Sequence, residues 1–517
     1  MEIEEKREKY REKGSARNQI FTALVATVPT FTYGIQIGWL SPMAAILKSA
    51  MTPARAPLTG GDISWMAAAL PLAAIVGIPF FSYSSDRFGR KISIILCSLL
   101  SCVSWIMKLT AGDAGAFIAA RVLAGLAASG CFVVVPVYIR EISEDAWRGA
   151  LGSLVMTMCK VGVIGVYALG MSLSYTTNQA VYLTICGLHV LGFAFMPESP
   201  NYLVKIGEET KAAKTLAWLR CRRRDDPAVR DEVTRLKLEH RAFLAMPKIT
   251  LMSVVRDRPA FSALRLTLTL MAMQTLSGCF ALMNYAADMF ARAGAEWSPD
   301  TLALIMGSLQ LAGSAFTTVT IDKFGRKIPL AFSSLTVSAC MAALATCFLL
   351  PAAPRWLPVL AVCACILAYG VGLAPVPMVV MAEVFSFESP ACMAALATCF
   401  LLRAAPRWLP VLAVCACILA YGVGLAPVPM VVMAEVFSFE LRARMAGASM
   451  AFSFFCSSMT VLFYNPAVNL VIVFYTFASV GLLGFIYTIL WVPETKGKTL
   501  EEIQAHWKDK NPPPTFV

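Results

Sequence analysis

The sequence predicts an all-α polytopic membrane protein whose helices form two groups of six. The 517-residue chain is 58% hydrophobic and 15% charged, with a mean hydropathy of +0.67, a balance that soluble globular domains do not have. Apolar stretches recur from Ile20 to Trp491, and most exceed the roughly 20 residues that a helix needs to cross a bilayer. A polar stretch divides them into the two groups.

The apolar stretches also set the predicted domain boundaries. We expect a charged cytosolic tail (1–19), an N-terminal six-helix bundle (20–200), an intracellular helical loop (201–260), a C-terminal bundle (261–492) and a second cytosolic tail (493–517). The six spans of the first bundle are predicted near residues 20–46, 63–83, 92–110, 115–139, 150–174 and 180–196.

Basic residues cluster in the segments that this topology leaves in the cytosol. They lie in the first tail, in DRFGRK from Asp86, in the 201–260 loop and in DKFGRK from Asp322, as the positive-inside rule requires. The net charge of +12 therefore reports topology. These charges sit in short loops and form no continuous basic face, so we do not expect nucleic acid as a partner.

A long-period repeat relates the two groups. DRFGRK follows the second span of the first group, and DKFGRK follows the second span of the second. Glu141 and Arg148 are seven residues apart, as are Glu435 and Arg442. Two related bundles around a midplane cavity are a general transporter design, in which access alternates between the two sides.

The residues give little support for a catalytic site or a metal site. His189, His240 and His506 are far apart and lack metal-ligand spacing, and no nucleophile, base and orienting residue share a recognisable pattern. TKGKT near the C-terminus resembles part of a phosphate loop, but Val492 stands where its first glycine must be. We therefore expect no enzyme activity, no cofactor and no ATP-driven transport.

A series of short motifs runs along nearly the whole chain. In order, they are YGIQIGWLSP, DRFGRK, Arg121 with Gly125, PVYIREISEDAWRG, PESP, MQTLSG with SGCFALMNYA, DKFGRK, APVPM with MAEVF, and PETKG. Together and in this order they resemble the motifs of the sugar porter family of the major facilitator superfamily. The sequences of spans 1 and 7 are most similar to those of insect facilitated trehalose transporters.

The resemblance implies a major facilitator fold and facilitative transport of trehalose or a hexose by alternating access. It also implies a monomer in the plasma membrane, whose partners are a small-molecule sugar and the lipid bilayer. Two alternatives stay open: a transporter of another polyol or small solute, and a non-transporting sugar sensor or disabled paralogue.

The charged motifs are predicted to form a gating network at the cytosolic ends of the spans. Opposite charges there can pair across helices in one conformation and separate in the other. Ordinary positive-inside anchoring is the competing interpretation. The predicted set is Asp86, Arg87, Arg90, Glu141 and Arg148 in the first half, Asp322, Lys323, Arg326, Glu435 and Arg442 in the second, with Glu198 and Glu494 in the cytosolic motifs PESP and PETKG.

The resemblance also places candidate sugar-contacting residues. Several family positions carry other residues here: Thr275, Phe280 and Met156 stand where the family has amides, so the pocket offers fewer hydrogen bonds than a typical hexose site. Interhelical hydrogen bonding is the alternative role for each polar residue. The candidates are Gln274, Asn284, Tyr285, Gln310, Ser453, Phe454 and, in span 10, Met430 or its copy Met378.

Two further positions concern charge inside the membrane. Gln36 stands in span 1 where proton-linked relatives have an aspartate, and glutamine cannot titrate, so we predict transport without proton coupling. Lys160 lies about ten residues into span 5, four beyond Met156 and on the same helical face. We predict that Lys160 reaches the aqueous cavity and donates to sugar hydroxyls; a lysine paired with a neighbouring carbonyl is the alternative.

An anomalous duplication interrupts the second half. Residues Ala339–Glu388 recur at Ala391–Glu440, 52 positions later, with Arg403 replacing Pro351 as the single difference. The second version of span 9 has only twelve apolar residues, roughly 18 Å of helix, which cannot cross the bilayer. One of the two copies within the duplicated segment, about 339–440, is therefore predicted to be surplus. Its origin would be a sequence-assembly error or a recent tandem duplication.

Overall fold

The protein is helical throughout the part of the chain that the computed structural model describes. The described residues are 16–144, 146–245, 258–285, 287–288, 298–324, 327–349, 439–464 and 469–492. Within these ranges, eight helical segments are long and apolar enough to cross a membrane. The expected all-α fold class is thereby confirmed.

The first half contains six helical segments, of which all but the last are among the eight that are long and apolar enough to cross a membrane. The first is a run of three consecutive helices: α1 (Arg17–Ala26), α2 (Val28–Gly38) and α3 (Leu40–Lys48). The others are α4 (Gly60–Phe88), α5 (Arg90–Thr110), α6 (Ala114–Ile142), α7 (Arg148–Ser172) and α8 (Tyr175–Ala194). Each matches one predicted span.

The polar loop and the second half supply the remaining described helices. The loop contains α9 (Pro200–Lys205), α10 (Glu209–Leu219) and α11 (Pro227–Ala245). The second half contains α12 (Arg258–Leu276), α13 (Cys279–Asn284), α14 (Pro299–Phe324), α15 (Lys327–Leu349), α16 (Phe439–Phe463) and α17 (Leu470–Trp491).

Side-chain caps set several helix starts. Thr59 and Asp62 form a reciprocal capping box at the start of α4, and Asp113 accepts from the Ala116 N–H at 2.8 Å at the start of α6. Ser174 caps α8, which therefore begins at Tyr175, five residues before the predicted start of that span.

Spans 1 and 5 approach at backbone distance because glycines face each other's main chain. A Cβ added to Gly34 would lie 1.9 Å from the Cys159 carbonyl oxygen, and one added to Gly162 would lie 2.0 Å from that of Phe31. Small residues permit this spacing between membrane helices, where van der Waals contact contributes much of the association energy.

The loop helices are fixed to the end of span 4 by one buried arginine. Arg220 donates to the Ile142 carbonyl oxygen at 2.7 Å and pairs with Glu232 at 2.7 Å and Glu144 at 3.3 Å. A buried guanidinium is stable here because carboxylates and a helix C-terminus surround it. The predicted cytosolic helical loop is thus ordered by contact with the first bundle.

The described residues fall into two compact units. Helices α1–α11 belong to the first, together with the part of α16 up to Ser458. Residues from Thr269 through α15, and those from Met459 through α17, belong to the second. In the second unit α15 packs along α17, where the Ser338 hydroxyl donates to the Ala478 carbonyl oxygen at 2.6 Å.

Helices α15 and α16 flank the duplicated segment. Helix α15 includes the start of the first copy, to Leu349, and α16 begins at Phe439, at the end of the second. Residues 350–438 lie outside the described residues, so the prediction that one copy is surplus stays a prediction.

Candidate functional site

A buried ion pair joins the start of span 3 to the end of span 4. The Arg90 guanidinium donates from Nε and from one terminal nitrogen to the two Glu141 oxygens, both at 2.9 Å. Both side chains are 11% exposed. The other terminal nitrogen donates to the Ser85 carbonyl oxygen, and the Ser199 hydroxyl donates to Glu141. Bidentate geometry with extra hydrogen bonds is what makes a buried pair favourable.

Glu198 occupies the N-terminus of helix α5. Its carboxylate accepts from the backbone N–H groups of Arg90 at 3.0 Å, Lys91 at 3.1 Å and Ser199 at 2.8 Å. Gly89 precedes the helix with φ +97, and a Cβ there would lie 2.3 Å from a Glu198 oxygen. Burial raises the pKa of Glu198, while these N–H donors and the Arg90 charge oppose the rise.

The remaining first-half members of the predicted network are more exposed. Asp86 lies 3.1 Å from Lys205 Nζ and 3.7 Å from the Arg90 guanidinium, with its side chain 63% exposed. Arg87 is exposed, and its carbonyl oxygen accepts from the Tyr202 hydroxyl at 2.9 Å. Arg148 is exposed at the first turn of α7. The compact centre of this network is therefore Arg90, Glu141 and Glu198.

The second-half members fall largely beyond the described part of the chain. Three of them lie outside the described residues: Arg326, Glu435 and Glu494. The sugar-site candidate Met430 also lies outside them. Asp322 and Lys323 lie on α14, and Arg442 on α16, at positions whose side chains the structure does not describe. Lys327, which follows DKFGR, is described: its Nζ donates to the Ile489 carbonyl oxygen at 2.8 Å.

Span 7 is interrupted next to two candidate sugar-contacting residues. Helix α12 ends at Leu276, and α13 starts after Gly278, whose φ is +86 and whose missing Cβ leaves room for the Phe477 ring. Broken helices free backbone and side-chain polar groups at membrane depth, where transporters commonly bind substrate. The Asn284 amide donates to the Phe280 carbonyl oxygen, and its own carbonyl oxygen has no hydrogen-bond partner among the described residues.

The other candidates of the second unit are buried near this break. The Tyr285 ring stacks on that of Tyr464 with centroids 4.8 Å apart. The Gln310 amide donates to the Met283 sulfur at 3.3 Å, and Gln310 is 4% exposed. Gln274 is 8% exposed on α12. The structure therefore places all four amide or phenol candidates of this unit inside it.

The remaining candidates belong to the first unit. Phe454 packs its ring 6.0 Å from that of Phe132, which lies 5.1 Å from Tyr33. Ser453 is half-buried beside it. Lys160 is half-buried on α7, and within the described structure it forms no hydrogen bond or ion pair. Met156, one turn before it, is 36% exposed, and this residue alone defines the open face of α7.

A second lysine inside a span, Lys108, was not among the residues that the sequence predicted for the site. Lys108, near the end of span 3, is fully buried and donates to the Gln36 side-chain oxygen. Arg121 donates to the Gln36 main-chain oxygen, so two cations contact the residue that the proton-coupling argument singled out. A charged residue within an apolar span is itself a functional signal, and applying it to Lys108 as to Lys160 would have found this group.

Repeated helix bundles, a broken span and buried polar groups at membrane depth define a secondary membrane transporter. The partially occluded, inward-open xylose transporter XylE of E. coli superposes with a TM-score of 0.69 over 93% of this chain and 99% of its own, at 18% identity. The fold is therefore that of the major facilitator superfamily.

Sequence comparison gives the family. Sugar (and other) transporter sequences match residues 22–400 and 389–507, two ranges that overlap within the duplicated segment. The mouse facilitated glucose transporter member 8 of solute carrier family 2 is 27% identical, covering 96% of this chain and 95% of its own. The facilitated trehalose transporter Tret1 of Bombyx mori is 24% identical, covering 94% and 86%. The chain belongs to the sugar (and other) transporter family.

Proposed function

We propose that the protein carries trehalose or a hexose down its concentration gradient by alternating access. The observation that carries this proposal is the interrupted span 7, which leaves the buried Asn284 oxygen available beside Tyr285 and Gln310. A pocket with apolar walls and a few convergent polar groups suits a sugar. Relatives named as glucose and trehalose transporters support the same substrate class.

Uptake by the purified full-length protein in proteoliposomes tests this function. Radiolabelled trehalose and glucose are supplied separately, and saturable uptake of at least one is expected. Asn284→Ala should raise the half-saturation concentration about fivefold, which corresponds to one hydrogen bond of about 1 kcal/mol. Asn201→Ala, on the loop helix α9, is the matched control. Sugar binding without flux would instead indicate a sensor.

We infer that Lys160 adds hydrogen-bond donors to the sugar site. Its support is a half-buried ammonium on the open face of α7, which has no partner within the described residues. Lys160→Met should change both uptake and the preference between trehalose and glucose, whereas Lys211→Met, an exposed loop lysine, should change neither. Unaltered uptake and selectivity in Lys160→Met would refute this role.

We also propose that transport is independent of protons. Gln36 has no titratable group, although its neighbour Lys108 has one. Uptake at a constant sugar gradient should therefore persist when a protonophore abolishes the proton gradient. A collapse of uptake under these conditions would contradict the proposal.

Topology and location complete the proposal: a plasma-membrane monomer with both termini cytosolic. The basic loops after spans 2 and 8 support this orientation. Epitope tags at either terminus should be detected only after permeabilisation of expressing cells. Staining of intact cells would overturn the orientation.

We infer further that one copy of the duplicated segment is dispensable. A 465-residue chain, joined in register by deleting 52 residues, should transport at least as well as the 517-residue chain. The surplus is expected to pack outside the second bundle. Spliced transcripts that contain both copies would exclude an assembly error, and uptake by the shorter chain alone would show that the surplus is harmful.

A further inference from the structure

Lys108 lies in a fully buried aromatic box. Its Nζ is 4.3 Å from the centroid of the Trp39 ring and 3.8 Å from that of Trp105, and the two rings pack edge to face with centroids 6.4 Å apart. The same ammonium donates to the side-chain oxygen of Gln36. All four residues are at most 1% exposed. Aromatic faces stabilise a cation but do not neutralise it.

A second cation adjoins the box. Arg121, 1% exposed, donates from Nε to the Met66 carbonyl oxygen at 2.9 Å and from a terminal nitrogen to the Gln36 carbonyl oxygen. Gln36 thus receives Lys108 on its side chain and Arg121 on its main chain. Across the described residues, Lys108 forms no ion pair with a carboxylate.

Buried N–H donors around the ammonium lack strong acceptors. Gln36 Nε2 and Trp39 Nε1 have no hydrogen-bond partner among the described residues, and Trp105 Nε1 has only the Cys186 thiol, a weak acceptor. The Gln36 amide cannot be turned to relieve this, because its oxygen already accepts from Lys108. Every unsatisfied polar atom of this box is therefore an N–H group.

The chemistry of these groups selects the ligand. A buried ammonium without a counterion is strongly unfavourable, and buried N–H groups require acceptors. A water molecule would accept from these groups but would bring two protons that need acceptors of their own. A monovalent anion only accepts, and it also compensates the charge.

We propose that Gln36, Trp39, Trp105 and Lys108, with Arg121 adjoining, form a binding site for a small monovalent anion of the halide class. The anion is held by the Lys108 charge and the three N–H donors. It acts as a structural counterion of the first bundle, independent of the sugar that the protein carries.

Thermal unfolding of the purified full-length protein tests the site. Sodium chloride is titrated against sodium gluconate at constant ionic strength, because gluconate is a large organic anion that a halide-sized site would exclude. The unfolding temperature of the wild type should rise with chloride concentration and reach a plateau. Lys108→Met should abolish this chloride-dependent rise. Lys214→Met, which removes an exposed loop lysine, should retain it.

Trp39→Phe provides a second variant that keeps an aromatic ring but removes one donor. The chloride concentration at half-effect should rise roughly tenfold or more, as expected from losing one hydrogen bond to a charged group. Iodide should quench tryptophan fluorescence with a saturable component that chloride displaces.

Three results would overturn the proposal. The first is an unfolding temperature that is the same in chloride and gluconate. This result is expected if the box holds water or if Lys108 is a neutral amine. The second is a chloride effect that survives Lys108→Met. If that variant does not fold, an unchanged half-effect concentration in Trp39→Phe decides against the site.

Discussion

The two halves of the chain use the lysine of the repeated motif in the same way. Lys91 Nζ donates to the Ala194 carbonyl oxygen at the end of the sixth span at 2.6 Å, and Lys327 Nζ donates to that of Ile489 at the end of the last helix at 2.8 Å. Both lysines directly follow the repeated FGR motif. A cation at a helix C-terminus satisfies free carbonyl groups and the helix dipole.

Deeper in the membrane the halves differ. The first contains Lys108 and Arg121 around Gln36, whereas the second contains the aromatic series Tyr285, Tyr464, Phe474 and Phe477. The repeated motif therefore specifies how the helix ends are held in both halves, whereas the described interiors of the two halves differ. Four sets of substitutions, taken from the largest expected effect to the smallest, test this contrast.

Glu141→Gln should have the largest effect. Breaking this bidentate pair leaves the Arg90 guanidinium with only the exposed Asp86, at 3.7 Å, as an ion-pair partner, which costs about 3–5 kcal/mol in the conformation where the pair exists. We expect turnover to fall at least tenfold, while the sugar dissociation constant changes less than about threefold, since a 1.4 kcal/mol change already gives tenfold. Uptake rates and equilibrium sugar binding measure the two. Normal flux with weakened binding would reverse the assignment of Glu141 to gating.

Gly34→Ala should destabilise the first half by about 1–3 kcal/mol, because the new methyl group would meet the Cys159 carbonyl oxygen, a rigid main-chain atom. Gly481→Ala in the second half should cost less, since its Cβ would meet the Ser338 side chain at 2.9 Å. Gly152→Ala, with nothing within 4 Å, is the control. Unfolding temperatures in detergent should rank the three, and an equal loss for Gly34→Ala and Gly152→Ala would contradict the close approach.

Lys91→Met and Lys327→Met test the shared anchor directly. Each removes one charge-assisted hydrogen bond, and the more exposed Lys91 should contribute less, about 0.5 kcal/mol against about 1 kcal/mol for the part-buried Lys327. The unfolding temperature of each variant measures its loss of stability. The double variant should lose about the sum of the two single losses, because the effects of distant substitutions are additive. A loss in only one half would show that the repeated motif has unequal roles.

The exposed pair Glu208–Lys211 should matter least. Its side chains are 43% and 66% exposed, and such pairs contribute about 0–1 kcal/mol, with screening by salt. A double-mutant cycle with Glu208→Gln and Lys211→Met should give a coupling near zero at 0.15 M salt. A coupling comparable to that of Arg90 with Glu141 would mean that burial does not distinguish these pairs.

The sequence by itself determined the helical class and the six helical segments of the first half, and it predicted that the charged motifs face the cytosol. These follow from segment length, hydropathy and charge asymmetry, which are local properties of the chain. The duplicated segment was also evident from the sequence alone. Resemblance to a family then placed the candidate sugar contacts by position.

Only the tertiary structure decided which groups meet. Lys108 reaches Gln36 across 72 residues, and Glu198 reaches the Arg90 N–H across 108. Hydropathy measures how strongly a segment favours the membrane, but it does not contain the rotation of a helix or the identity of its neighbour. For that reason Arg90 and Glu141 were both predicted to belong to a charge network, while their bidentate pairing, and the box around Lys108, emerged only when spans 1, 3 and 4 were packed together.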